Sequence, residues 1–588
     1  HPDLGGCTFN EVNNSDFSDC RFLPGYDFVS GDYDYMDERE HGTHVAGIVG
    51  ATGPDVKGVA PDAEIRGYRV CSGYGCPTSN IMGAIDRAMD PDQDGDPSDH
   101  VDILQMSIGG AGYPSDPLSQ ALNDAFEVGV VPVISAGNSG SASETVSNPA
   151  TARKALAVGS VNDNDRLNQF SSRGPQKVKD STDILFKPEI SAPGSEVVST
   201  VPGGGTKEKS GTSMAAPHVS GSAALLLQKY DNLRPLEVQS LLTQTSNPVE
   251  MDNLNYGVDL LDSGNGRVNV SEALNTSSVV TPEAIIFGLS NSTGRWWNTS
   301  KILNLTNFGE VEKSYSISAN TGVQGAEFSL NSSSPVLEPG EDIRIRLNLS
   351  VDKEKLGEGE FTGKINLNSN KSEYLEISYL FVNQDFSIDV NPDSSREGFF
   401  DLKVGSPLDF DSYSKSIQIK RPDNSSVEEA LFEKGLYEEW MPDNQKFEGE
   451  ALFSQEGEYT ATVNSSLVPG KEASTNFTVG NLPPELNDNA SFISEKLNIN
   501  LSSESDLGLS TGRRISLDFD HSVWQPEVLN YGGKSHIFWD HGGYNTGLRY
   551  STFSGGRLNQ VAGLEEHPGG QTQGVSVSRK GSKALVSW

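Results

Sequence analysis

Over residues 1 to about 278, strand-like apolar runs alternate with helical patterns. Ile65 to Val70, Val101 to Ser107, Val130 to Ser135, Leu156 to Val161 and Glu196 to Thr200 read as strands. Ser79 to Met89, Leu118 to Val128, Ser213 to Tyr230 and Leu236 to Gln244 read as helices. Such alternation predicts an α/β fold, a mainly parallel sheet with helices on both faces. Ligands of such folds gather beyond the carboxyl ends of the strands.

The texture changes after about residue 279, where helical periodicity gives way to short alternating runs such as Ile343 to Leu349. Turn signals such as Glu338-Pro339-Gly340 separate them, and the pattern predicts a β-sandwich over 279–384. Residues 385–482 repeat the style and are expected to form a second sandwich. Asn481-Leu482-Pro483-Pro484 reads as a linker into a β-rich region, 483–588. There Val528, Gly532, Lys534 and Trp539 recur as Val577, Gly581, Lys583 and Trp588, a constant offset of 49 that suits a propeller blade.

A chain of 588 residues can bury several cores. Lys+Arg 44 against Asp+Glu 81 gives a net charge of −37, which argues against nucleic acid and against anionic membrane surfaces. No run of 18 apolar residues occurs, so no spanning helix is expected. No leader precedes His1 and the last residues lie inside an apolar run, so both ends read as cut. The four cysteines favour two local disulfides, Cys7–Cys20 and Cys71–Cys76, and an oxidising compartment. A zinc site is the alternative, against which neither pair has Cys-x-x-Cys spacing. Sequons at Asn275, Asn298, Asn304, Asn348, Asn424, Asn464 and Asn476 would carry glycans only in a host that glycosylates.

At Lys209 to Gly221 a Gly-rich loop passes into small apolar residues, the start of a buried helix. Thr212 or Ser213 can cap it, and Pro217 is expected in or near its first turn. A serine there sits in the positive end of the helix dipole beside free N–H groups, the conditions an oxyanion needs. Taken alone, Ser213 is a capping residue, His41 a histidine at a helix start and Asn138 a turn residue. Taken together with their neighbours they read otherwise. Glu40-His41-Gly42-Thr43-His44-Val45-Ala46-Gly47 comes first, then Ser107-Ile108-Gly109, Ser135-Ala136-Gly137-Asn138, Lys187 to Gly194, and Gly211-Thr212-Ser213-Met214-Ala215.

In this order the motifs resemble those of the subtilisin-like serine proteases, over roughly residues 1–278. Leu4-Gly5-Gly6-Cys7 and the sandwiches look most like the secreted, multidomain minor extracellular branch. The resemblance implies Ser213 as nucleophile, His41 as general base and Asn138 as side-chain donor of the oxyanion hole. It gives His44 and His218 structural roles. Ser107, Ile108 and Gly109 would form one wall of a substrate pocket, Ala136 and Gly137 the other. Small residues on both walls suggest a roomy apolar pocket. The family's third triad member is an Asp in an Asp-Thr/Ser-Gly motif on a first strand, a few residues before the His-Pro-Asp-Leu that opens this chain. The 588 residues alone are therefore expected to be nearly inactive, and the full protein active. Asp3 matches a position that more often serves calcium, but the loop after His41 that would supply further ligands is short. A separate calcium candidate is Asp90, Asp92, Asp94 and Asp96, whose bland alternative is a solvated acidic loop. The expected function is a secreted or cell-surface serine endopeptidase acting on proteins or peptides. The alternative is an adhesion protein with an inactive peptidase domain, whose C-terminal β region would bind a glycan or protein.

Overall fold

The computed structural model describes residues 1–5, 22–178, 181, 183–250, 258–290 and 294–384, and beyond these the strands within 387–587. Its first part is built on parallel strands. Phe22–Asp27 (β1) pairs with Ile65–Arg69 (β2). Ile103–Met106 (β3), Val131–Ser135 (β4), Leu156–Val161 (β5) and, beyond the short Gln176–Lys177 (β6) and Ile184–Leu185 (β7), Ile190–Pro193 (β8) form a second parallel sheet in the order β3-β4-β5-β8.

Both faces of this sheet are buried, and the period of two sorts its side chains. Leu104, Met106, Ile134 and Ala157 pack against Thr78–Met89 (α2) and Pro117–Val128 (α3), through Ile81, Ile85, Leu118 and Leu122. Val131, Val133, Leu156, Val158 and Ile190 face Thr212–Lys229 (α4) and Pro235–Gln244 (α5), through Ala215, Val219, Leu226 and Leu241. His41–Gly50 (α1) packs on α4, with Val45 and Ile48 against Met214. Gly47 permits the approach of Val197–Thr200 (β9). A Cβ there would lie 2.3 Å from the Thr200 hydroxyl oxygen and 2.4 Å from that of Ser199. β9 forms a hairpin with Thr206–Lys209 (β10). Among the described residues β2 pairs only with β1 and β3 only with β4. A cavity of about 1340 Å³ lies between those two edges, lined by Tyr68, Ile85, Leu104, Met106, Ala224 and Leu225 among others.

Ser278–Thr281 (β11) follows directly and begins a two-sheet β unit. Its strands are Ala284–Leu289 (β12), Trp296–Asn307 (β13), Lys313–Ser318 (β14), Ala326–Leu330 (β15), Val336–Leu337 (β16), Asp342–Asp352 (β17), Gly359–Ser369 (β18) and Tyr374–Asn383 (β19). One sheet runs β11-β13-β17-β15 and the other β12-β19-β18-β14-β16, around a core that includes Trp297, Leu347, Ile365 and Tyr379. The unit is joined to the first part by buried polar contacts. Val280 exchanges both backbone hydrogen bonds with the Gln244 amide, accepting from Nε2 at 2.5 Å and donating to Oε1 at 3.2 Å. Within the β unit, at its first strand, Lys313 Nζ donates to Ser277 Oγ at 2.7 Å and to Ser278 Oγ at 2.9 Å, and it pairs with Glu373 at 2.7 Å.

Further strands follow in two sheets between Ser387 and Val479. Between Val523 and Ser587 the repeat of offset 49 falls on matching hairpins: Tyr531 pairs with Lys534 across one turn, Lys580 with Lys583 across the other. The expected linker Asn481 to Pro484 lies outside the described residues.

Candidate active site

The expected cap at the head of α4 is corrected by the structure. The N-cap is Gly211, at φ 150°, and Thr212 and Ser213 are the first two helical residues, with no side-chain cap. The cap comes from another loop. Asn138 Oδ1 accepts the Thr212 N–H at 2.9 Å and its hydroxyl at 3.0 Å. With Oδ1 so engaged, Nδ2 of this exposed side chain is left as a donor. A Cβ on Gly211 would sit 3.5 Å from it.

Pro217 is the sixth residue of α4, just past its first turn. Having no N–H, it cannot close the helical bond to the carbonyl of Ser213, four residues back. Ser107 Oγ donates to that carbonyl instead, at 2.7 Å. The residue expected as a pocket wall thus also fastens the serine's own turn.

The other motifs meet the same turn. Gly211 donates its N–H to Gly194 O at 2.8 Å, and Gly137 N–H donates to Thr212 Oγ1 at 3.2 Å. The expected pocket walls face one another across Ser147. A Cβ on either Gly109 or Gly137 would come within 2.5 Å of its Oγ. Gly137, at φ +113°, has a backbone only glycine adopts easily. Ser147 and Ser172, both against Gly137, were not singled out from the sequence, because a serine in a loop carries no pattern.

His41 is the first residue of α1, as expected from the small-residue run behind it. Glu40 before it is left-handed at φ 68°, and pairs with Lys207 at 2.7 Å and Lys209 at 3.6 Å. A non-glycine residue in that conformation persists only where its surroundings hold it. The α1 start is also held by Asp37. Its Oδ1 accepts the Arg39 N–H at 2.7 Å, and its Oδ2 accepts the Thr43 N–H and hydroxyl, both at 2.8 Å. Burial alone would raise Asp37, but these bonds hold it below its ordinary value. Burial lowers His41, the nearby Lys209 lowers it further, and Asp37 acts in the opposite direction. Among the described residues no carboxylate accepts a hydrogen bond from the His41 ring.

His44 and His218 take the structural places expected of them. His44 Nε2 reaches Val197 O at 3.1 Å and Lys207 O at 2.9 Å, and His218 Nδ1 reaches Met214 O at 2.9 Å. Cys71 and Cys76 are disulfide-bonded, whereas Cys7 and Cys20 lie outside the described residues.

The acidic loop differs in membership from the expected one. Ligand atoms of Asp90, Asp92 and Asp99 lie within 4.8 Å of one another, while Asp94 and Asp96 fall outside the group. Asp94 is turned aside by its own backbone bonds. Its Oδ1 accepts the Asp96 N–H at 2.8 Å and its N–H donates to Asp92 Oδ1 at 3.1 Å. That Asp94 N–H lowers Asp92, yet slight desolvation of this exposed carboxylate and the charges of Asp94, Asp99 and Asp90 leave it raised overall. Asp3 is buried under Gly53, with Oδ2 lacking a hydrogen-bond partner.

Residues 1–266 match the family model described as the subtilase family. Subtilisin DY of Bacillus licheniformis is 37% identical over 252 residues, covering 42% of this chain and 84% of that protein. Serine protease AprX of Bacillus subtilis (strain 168) is 31% identical over 297 residues, covering 45% of this chain and 63% of that protein. The solved structure of sphericase aligns at 32% identity with a TM-score of 0.37, covering 42% of this chain and 84% of that one. The chain belongs to the subtilase family, and its first part is a serine-type endopeptidase domain of the subtilisin-like α/β fold.

Proposed function

We propose that the protein is a secreted endopeptidase in which Ser213 attacks the peptide carbonyl and His41 takes its proton. The same His41 then returns that proton to the leaving amine. Asn138 Nδ2 and the Ser213 N–H receive the oxyanion. The observation that carries this reading is the grip of Asn138 Oδ1 on the Thr212 N–H and hydroxyl. It fixes the amide so that a donor, not an acceptor, is left beside the nucleophile, as oxyanion stabilisation requires. An extended substrate would pair with Ser107 to Gly109 and lodge one side chain between that wall and Ala136–Gly137, against Ser147. The carboxylate that orients His41 remains the Asp that the family resemblance places before His1.

Secretion is supported by the Cys71–Cys76 bond. Among the described residues no helix is long and apolar enough to cross a membrane. Structural calcium, common in subtilases, would suit Asp90, Asp92 and Asp99 by the oxygen chemistry of their side chains. The unpartnered Asp3 oxygen is a second place where a cation would relieve a buried charge. The test of the main reading is hydrolysis of an unfolded protein by full-length protein and by Ser213→Ala. Activity should fall by about 10⁶ in the variant, to the level left by binding and oxyanion stabilisation; undiminished activity would refute the assignment.

A further inference from the structure

We propose that Glu40 is a positioning residue, whose ion pairs with Lys207 and Lys209 hold a left-handed turn and through it set His41 against Ser213. This rests on the roles assigned to His41 and Ser213 above. The observation behind it is a strained backbone with a visible restraint. Glu40 stands at φ 68°, ψ −17°, directly before the first residue of α1. That left-handed region favours glycine, and a residue with a side chain is held there at a cost in free energy. Its side chain does not cap the helix, and its carbonyl accepts the His44 N–H at 3.1 Å. The carboxylate reaches another element instead. Its Oε2 meets Lys207 Nζ at 2.7 Å and Lys209 Nζ at 3.6 Å, both on β10.

β10 is also the strand that leads to the serine. Lys209 ends it, and Ser210 and the N-cap Gly211 carry the chain on to Thr212 and Ser213. The β9–β10 hairpin is fastened to α1 a second time, behind His41. Ser199 Oγ donates to His44 O at 2.7 Å, Thr200 Oγ1 donates to Thr43 O at 2.8 Å, and His44 Nε2 lies 2.9 Å from Lys207 O. Ahead of His41 the carboxylates divide the work. Asp37 ties its segment to α1 itself, through Arg39 and Thr43, and Glu38 pairs with Arg69 on β2. Glu40 ties it to the hairpin. The residue before the proposed base is thereby joined to the strand that ends just before the proposed nucleophile. A base works only within hydrogen-bond reach of its nucleophile, and a misplacement of about 1 Å can cost roughly 10²-fold in rate.

Steady-state kinetics on one peptide and the rate of fluorophosphonate labelling, both on the full-length protein, test the proposal. Glu40→Gln loses the tether and keeps the strain, so kcat should fall roughly three- to tenfold with KM nearly unchanged, and labelling should slow alike. Glu40→Gly removes the same charge but adopts the left-handed turn freely, so it should lose less than Glu40→Gln. Equal losses in the two neutral variants would make the effect one of charge alone and overturn the positioning role. Lys207→Met should lower kcat by itself and add little in the Glu40→Gln background, since both remove one contact. Fully additive losses would overturn the proposal too. About 1 M salt should narrow the gap between the unsubstituted protein and Glu40→Gln. Should Glu40→Gln fail to fold, Lys207→Met, at an exposed side chain, carries the test. An unchanged kcat in Glu40→Gln, or in Lys207→Met where that variant stands in, would overturn the proposal and leave the serine mechanism standing. Failure of the unsubstituted protein to cleave and to label would overturn that mechanism and the proposal together.

Discussion

Ser213 is the second residue of a helix whose sixth is a proline, and that proline determines what holds the turn. Its missing N–H frees the Ser213 carbonyl, which Ser107 takes up, while Asn138 takes the Thr212 donors. Two loops from the carboxyl ends of β3 and β4 therefore lock the serine's backbone without touching its hydroxyl. Asn138→Leu should cost about 10²–10³ in kcat with little change in KM, the loss expected for one oxyanion donor. Steady-state kinetics on one peptide checks it, and an unchanged kcat would remove Asn138 from the mechanism. His41, proposed as the base, is tuned by its neighbours. Burial and Lys209 both disfavour the imidazolium of His41. Only the neutral ring accepts a proton, so activity rises as pH passes upward through its pKa, which these two effects hold below the ordinary histidine value. Lys209→Met removes one of them, so the acid limb of the kcat/KM profile should move to higher pH. A limb that stays put, or moves down, would contradict this.

At the scale of elements, much was legible because strand and helix periods differ and because the sheet is buried on both faces. Leu156–Val161 falls where it was read, and α2, α3, α4 and α5 each start one residue earlier than read. Proline at the first position of α3 and α5 accounts for two of those shifts. His41, Asn138 and Ser213 were legible through short motifs whose order is specific. What the sequence could not reveal depends on distant partners. Asn138 as a cap, Ser147 between the walls, and Asp99 in place of Asp94 are products of folding, with no periodicity behind them. The Lys313–Glu373 pair is of the same kind. Sixty residues apart in sequence, these groups are both buried, Lys313 also donating to Ser277 and Ser278. Burial would raise Glu373, but bonds from Lys313, Ser278 and Ser277 hold it below its ordinary value. Lys313→Met leaves that carboxylate buried without its cation, and should cost about 3–5 kcal/mol. Denaturant unfolding checks it, and a loss below about 1 kcal/mol would mean that the pair does not hold the β unit.

At the scale of the molecule, the peptidase part and the first β unit meet without a connecting linker. Gln244 completes the backbone bonding of Val280, Asn265 Nδ2 donates to Glu376 O at 3.0 Å, and Tyr230 packs edge-on against Phe308 at 5.1 Å. The two-sheet unit thus covers α5 of the peptidase part. Among the described residues the supports of the Ser213 turn come from the first part, which keeps the candidate site and the β units separate in sequence while joined in space. The central claim is that Ser213 is a nucleophile activated by His41. Labelling of the full-length protein with a fluorophosphonate, followed by peptide mass mapping, tests it most directly. The adduct should fall on Ser213 alone, and its rate of formation should collapse in His41→Ala. An unlabelled Ser213, or labelling at the same rate without His41, would contradict it.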